Sequence, residues 1–372
     1  MDAVLQTSLT TIIYAAAGAI TLWTAGALFY DVGRASRGAW VLVLAWVAAV
    51  IGAFIAWQPA WVAFPPVLGA FVLVLVWWLS QKPSHDRNWE PNAAVLPRVT
   101  FDGDSVTIEN VRNTQYRTLD DYKPTYDTRT YSLSHLRGLD VLICFWGSPW
   151  MSHPIFVFDF GLDGRVCISI EVRYRVAQEY NLMRSLYRQQ ELIYIVLDER
   201  DAILRRTKYS ENQDVYLYRM SVETDRIRQF FDEYCESINS LIDTPRWYHG
   251  LTDNCTTSVY AQRKQRTVWD WRLLVNGRLD RMLYDRGRLD QSLPFEILKR
   301  ESLVNEIANR APDDDFGDYI RTHMTGYNEG ETEGASFSNG SGDETPLPKG
   351  STATRSASEV KQPSNSQETS IR

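Results

Sequence analysis

The sequence predicts an α+β domain carried behind a bundle of three membrane-spanning helices. Three observations lead there. Residues 1–81 hold only four charged side chains, Asp2, Asp31, Arg34 and Arg37, whereas residues 82–372 hold the other 37 Lys and Arg and 44 Asp and Glu. Long apolar runs fill the first part, and a bilayer core demands about 20 apolar residues per helix. Behind them, strand-like and helix-like patterns are interspersed without strict alternation, which favours α+β over a doubly wound parallel sheet. A net charge of −7 and a pI near 5.4 argue against a nucleic-acid partner bound through phosphate neutralisation.

The chain divides into an anchor (1–81), a soluble domain (82–311), and an acidic polar linker with a disordered tail (312–372). Residues 3–30 are uncharged and give a first span near 9–30. The missing basic leader and the apolar sequence downstream speak against a cleaved signal peptide. The uncharged stretch 39–81 is long enough for two spans, near 40–57 and 62–79, with Pro59, Pro65 and Pro66 marking a turn or kink. Trp57, Trp61, Trp77 and Trp78 suit interfacial belts. No acid, base or histidine falls inside these limits, so the spans read as an anchor and not as an ion path. Arg34 and Arg37 in the first loop would, by the positive-inside rule, place that loop and the domain in the cytoplasm.

In the domain, residues 139–146 read as a buried strand. Residues 153–160 and 165–173 read as a hairpin closed by Gly161-Leu162-Asp163-Gly164. Residues 191–197 and 214–220 are further strands, 198–207 a short charged helix, and 222–242 an amphipathic helix through Ile227, Phe230, Phe231, Tyr234, Ile238 and Ile242. A further helix is expected to begin at Cys255. Residues 327–372 are polar with isolated large apolar residues, a composition that cannot offset its ordering entropy.

The segment Pro245-Arg-Trp-Tyr-His-Gly-Leu-Thr-Asp-Asn254-Cys255-Thr256-Thr257 carries the clearest chemistry. A cysteine after Asp-Asn at a helix start has amide groups and the helix dipole to stabilise a thiolate, and the same amides can hold an oxyanion. A small buried cysteine is the competing reading. A thiol nucleophile needs a base and a group to orient that base. The histidines are His85 beside the membrane, His135, His153 at the start of a strand, His249 close before Cys255, and His323 near the tail. Glu171 lies on the strand paired with that of His153, and Asp159 shares the His153 face. Hairpin register decides between them, and either could instead pair with Arg173 or Arg175. Arg184, Arg188, Arg205, Arg206 and Lys208 form a basic group that either approaches lipid phosphates or is a solvated face. No Cys-x-x-Cys pair occurs, so neither a structural zinc site nor a redox dithiol is expected, and no cofactor is called for.

Several segments, taken in order, resemble the DUF4105 family, the Lnb N-terminal periplasmic domain. They are Asn110-Val-Arg-Asn113 with Tyr116 to Tyr122, Trp150-Met-Ser-His153 with Phe156 to Gly161, Ile170-Glu-Val-Arg173, Glu191 to Tyr194 with Asp198-Glu-Arg200, and Trp247-Tyr248 with Asn254-Cys-Thr-Thr257. The resemblance implies a permuted papain-like (NlpC/P60-like) fold, in which the histidine strand precedes the cysteine helix. It implies Cys255 as nucleophile and His153 as its base; Glu171, from the hairpin, and Asn254, beside the cysteine, are the supporting residues expected with them. It also implies acyl transfer to the amino terminus of bacterial lipoproteins, with inner-membrane lipid and a lipoprotein or phospholipid acyl donor as partners. The location implied is the bacterial inner membrane, multi-pass, with a periplasmic domain, against the loop charges. Two readings stay open beside it: a cysteine peptidase or amidase of the cell envelope, and an inert envelope interaction protein.

Overall fold

The structure is a computed structural model that describes residues 3–146, 148–178, 181, 183–210, 212–250, 272 and 276–327. Among these, three helices are long and apolar enough to cross a membrane. Helix α1 (Ala3–Ala27) continues as a π-helical turn over Leu28–Val32; α2 is Ala39–Ala56 and α3 is Ala60–Ser80. Pro59 caps α3 and marks the expected turn, whereas Pro65 and Pro66 lie inside the helix. Asp31 therefore sits in the last turn of the first helical run, where Trp78 Nε1 donates to its Oδ2 at 2.9 Å. Trp23 meets Phe71 and Trp78 edge-on at 5.5 and 5.3 Å. These contacts bring the C-terminal ends of α1 and α3 together. The loop holding Arg34 and Arg37 is thus on the same side of the bundle as the domain.

The domain is built on an eight-stranded sheet. Its strands are β1 (Arg98–Asp102), β2 (Ser105–Arg112), β5 (Tyr126–Ser132), β6 (Gly138–Trp146), β7 (Ser152–Asp159), β8 (Arg165–Arg173), β9 (Glu191–Leu197) and β10 (Gln213–Arg219), and a separate short pair is β3 (Gln115–Tyr116) with β4 (Tyr122–Lys123). The order is β1-β2-β9-β8-β7-β6-β10, with β5 also on β2. All pairings are antiparallel except the single contact of β2 with β9. This mixed α+β architecture agrees with the reading of the sequence. Gly161 and Gly164, at φ 59° and 92°, supply the backbone conformations of the β7–β8 turn, which L side chains rarely adopt.

Side-chain alternation along the sheet separates two cores. On one face Phe156, Phe158, Phe160 and Tyr194 pack against α5 (Thr224–Asp243) through Ile227, Phe230, Phe231, Tyr234, Ile238 and Leu241. Each such side chain, when fully buried, contributes about 1.5–3 kcal/mol. The other face sets Leu142, Cys144, Ile155, Val157 and Cys167 against α4 (Glu199–Thr207). Helices α6 (Leu279–Asp285), α7 (Phe295–Glu301), α8 (Asn305–Arg310) and α9 (Phe316–His323) complete the described chain.

The run Asp313–Asp315, read from sequence as the start of a polar linker, instead leads into α9. Phe316 and Ile320 join the α4-side core. Arg321 donates to both Glu199 oxygens, at 3.0 and 2.7 Å, and to Asp140 at 2.5 Å, all three residues being buried. Acidic composition concealed a segment held by apolar packing and buried ion pairs. The expected tail from 328 onward lies outside the described residues.

The motif segments before β6 turn out to fix α4. Asn110, at φ 63°, occupies a bulge in β2 and donates to Leu96 O at 2.9 Å. The bulge sets Arg112 into the interior, where Nε and Nη2 grip Asp201 at 3.0 and 2.9 Å. Thr114 N and Tyr116 OH also donate to Asp201, at 2.8 and 3.2 Å. Asp198 caps α4 by accepting from Arg200 N at 2.8 Å.

A candidate functional site around His153

The β7–β8 register aligns Ile155 with Ser169. Continued by two pairs, it sets His153 opposite Glu171, with Ser169 two residues inward along β8 on the same face. His153 Nε2 lies 2.7 Å from Ser169 Oγ and 3.4 Å from Glu171 Oε1. Ser169 Oγ donates to that Glu171 oxygen at 2.8 Å, and Arg206 Nη2 donates to it at 3.0 Å. Arg206 comes from the last turn of α4, and its Nη1 also donates to Ala202 O at 2.9 Å. The buried Arg112–Asp201 pair thus acts on the site indirectly. It holds α4, α4 holds Arg206, and Arg206 holds Glu171.

Burial alone would raise the Glu171 carboxyl, but the charge and hydrogen bond of His153 and the guanidinium groups of Arg206 and Arg205 hold it well below the ordinary carboxylate range. An ionised Glu171 only accepts. The single Ser169 proton is therefore directed to Glu171, and the Ser169 lone pair faces His153 Nε2. That assigns the proton of a neutral His153 ring to Nε2 and the lone pair to Nδ1. Trp146 packs edge-on to the His153 ring at 6.4 Å.

Cys144 is the cross-strand partner of His153. It is buried, and burial pushes its thiol up to about 11. Cys167 and Cys235 are likewise buried with thiols raised by desolvation. All three are protonated, enclosed side chains, which disfavours a nucleophilic role. Cys255 and Asn254 lie outside the described residues.

Asp159 falls at the other end of β7. It is held by Arg137 at 3.2 Å, by Arg219 at 3.5 Å and by the amide of Gly161 at 3.0 Å. Neither acid pairs with Arg173, which donates to Ala93 O and Ala94 O and approaches His85 Nδ1 at 2.9 Å. Arg175 reaches Glu191 instead, at 3.3 Å. The remaining histidines stand elsewhere. His85 Nε2 meets Leu241 O, His135 pairs with Asp163, and His323 stacks on Tyr319. His249 follows Trp247, which bridges to Glu191 at the start of β9. Of the basic group, Arg206 is turned inward to Glu171 and Arg188 is engaged at the end of α3, so neither belongs to a solvated face. Ser169 and the inward role of Arg206 emerge only from the folded structure. The two-residue spacing of Ser169 and Glu171 on one strand was the available signal for the first. Among the described residues no cluster of three His, Cys, Asp or Glu is arranged to hold a metal ion.

Residues 122–276 match the family model described as the Lnb N-terminal periplasmic domain. No curated protein and no solved structure matches the chain.

Proposed function

We propose, from the premise that residues 122–276 belong to the Lnb N-terminal periplasmic domain family, that this chain is a membrane-anchored envelope protein performing thiol acyl chemistry on a permuted papain-like fold. The observation that carries the reading is the hydrogen-bond order His153–Ser169–Glu171, which leaves Nδ1 as the basic nitrogen of the ring. The family resemblance supplies the nucleophile, Cys255.

In this reading His153 Nδ1 takes the proton of the Cys255 thiol. The thiolate attacks an ester carbonyl, and the carbon–sulfur bond forms as the carbonyl π pair moves to oxygen. Backbone amides next to Cys255, where the sequence predicts a helix start, would hold that oxyanion together with Asn254. The carbonyl re-forms, the ester C–O bond breaks, and the leaving alkoxide takes the proton from His153. An amine or water then attacks the thioester. His153 removes its proton and returns it to the departing thiolate. Each time the ring is cationic, Glu171 opposes the charge across 3.4 Å. The domain lies outside the inner membrane, as the family description implies, against the charges of the first loop.

The test uses full-length protein in lipid nanodiscs with a thiol-directed acyl probe and a diacylated lipopeptide acceptor. Labelling lost in Cys255→Ala and slowed in His153→Ala, with acyl transfer to the lipopeptide, supports the reading. Labelling indifferent to Cys255→Ala overturns it. Release of peptide fragments without acyl transfer would assign a peptidase or amidase instead.

A further inference from the structure

The segment Arg184–Gln190 is bonded to the apolar helices on one side and to the chain leading toward Cys255 on the other. On the helix side, Tyr187 stacks on Tyr30 at 5.2 Å and its hydroxyl reaches Trp23 O at 3.5 Å. The ring lies over Gly26, where a Cβ would overlap the Tyr187 hydroxyl. Arg188 Nη1 donates to Leu79 O and Gln81 O at 2.9 and 2.6 Å, with its guanidinium 4.2 Å over Trp78. Leu79 and Gln81 lie at the C-terminal end of α3, where unpaired carbonyls and the helix dipole favour a cation. Gln189 Nε2 donates to Asp31 Oδ1 at 2.6 Å, the carboxylate already held by Trp78. On the other side, Gly250 N donates to Ser185 O at 3.0 Å and Tyr248 N to Gln190 O at 2.9 Å. Leu192 N donates to Arg246 O at 2.9 Å, and Trp247 Nε1 reaches Gln81 O at 3.4 Å.

We infer that the three apolar helices are more than a tether: through Tyr187, Arg188 and Gln189 they set the position of residues 246–250. These three are positioning residues, acting through the backbone of the lead-in to Cys255. The functional meaning rests on the thiol chemistry proposed above, but the physical coupling does not. Gly26 is the informative position, because a side chain there acts from within the first span.

The experiment compares wild type, Gly26→Ala, Arg188→Gln and Tyr187→Phe in nanodiscs, with two readouts. The first is hydrogen exchange of a peptide covering 245–250, with peptides from β6 and β7 as internal references. Gly26→Ala and Arg188→Gln are expected to speed exchange of the Tyr248 and Gly250 amides by about tenfold, as loss of one buried contact would, and to leave the references unchanged. Tyr187→Phe, which keeps the ring stack, is expected to stay near wild type. Unchanged exchange at 245–250 in both disruptive variants overturns the inference. Variants that expose the references as well have unfolded globally, and that outcome also counts against a local coupling.

The second readout is the pH profile of Cys255 alkylation by iodoacetamide. In Gly26→Ala and Arg188→Gln its midpoint is expected to move up toward the free-thiol value of about 8.5. A low midpoint in wild type that both variants preserve overturns the positioning role alone. A wild-type profile already matching a free thiol, and indifferent to His153→Ala, defeats the thiol reading while the exchange result still judges the coupling.

Discussion

Replacing Ser169 with Ala tests the central electrostatic argument most directly. The hydroxyl accepts from His153 Nε2 across 2.7 Å and donates to Glu171 across 2.8 Å. Ser169 is fully buried, so no bulk water replaces it without a new cavity. Removing it forfeits one hydrogen bond to a neutral ring and one to a carboxylate. A neutral bond is worth about 0.5–1.5 kcal/mol and a charge-assisted one about 1.5–3. Glu171 Oε1 still stands 3.4 Å from Nε2 and recovers part of this. The net penalty on holding the proton at Nε2 is then roughly 1–2 kcal/mol, or a factor of about 5–30 in the Nδ1-basic form and in the acylation rate. The assay is two-part. Long-range proton–nitrogen correlation spectra of 15N-histidine protein report which ring nitrogen of His153 carries the proton. Single-turnover labelling with the acyl probe reports the rate. Wild type should show the Nε2–H pattern, and Ser169→Ala should weaken both that pattern and the rate. A neutral His153 carrying its proton on Nδ1 in wild type would overturn the assignment of Nδ1 as the basic nitrogen, whatever the rates.

Other expectations follow from the same contacts. Asp201→Ala strands the buried Arg112 guanidinium and should cost about 3–5 kcal/mol, seen as failure to accumulate folded protein or a large drop in denaturation midpoint; wild-type stability would refute it. Phe231→Ala empties a fully buried site between Phe158 and Phe160 and should cost about 3–5 kcal/mol in chemical denaturation. Glu171 has a carboxyl pKa depressed by folding, so its contribution is complete above the ordinary value of 4.5 and is lost as pH falls through the lower folded value; Glu171→Gln should flatten that part of an acid denaturation curve. Cys144, Cys167 and Cys235 should resist aqueous alkylation in the native protein and react on unfolding, which intact-mass measurement at rising urea will show.

Much of the element order was legible because it rests on local patterns. The apolar runs gave three helices, and the 3.6-residue spacing of Ile227, Phe230, Phe231 and Tyr234 gave α5. The glycines of the turn gave the β7–β8 hairpin, and 191–197 matches β9. Register was not legible. Period-2 alternation fixes which residues share a face, not which acid ends up opposite His153. Pairing with Ser169 aligned Ile155 and so selected Glu171 over Asp159. Arg206 was also hidden, since its partner lies 35 residues away and only the docking of α4 joins them. Asp313–Asp315 misled for the opposite reason: local composition was polar, while the residues after it were destined for the core. Asn110, Arg112 and Asp198, noticed as parts of a family pattern, prove to serve the scaffold under the site.

The link from Arg321 to Asp140 spans 181 residues of chain. A ribosome adding about 5–20 residues per second needs roughly 10–35 s to cover that interval. Until then the cation beside Asp140 is Arg219, at 3.0 Å, and Glu199, made later than Asp140, waits over 122 residues for the Arg321 guanidinium. The apolar helices, by contrast, are finished before any strand is made. Biosynthesis therefore delivers a chain whose apolar helices are made early and whose Arg321 contacts to Asp140 and Glu199 form only after every described strand has been made.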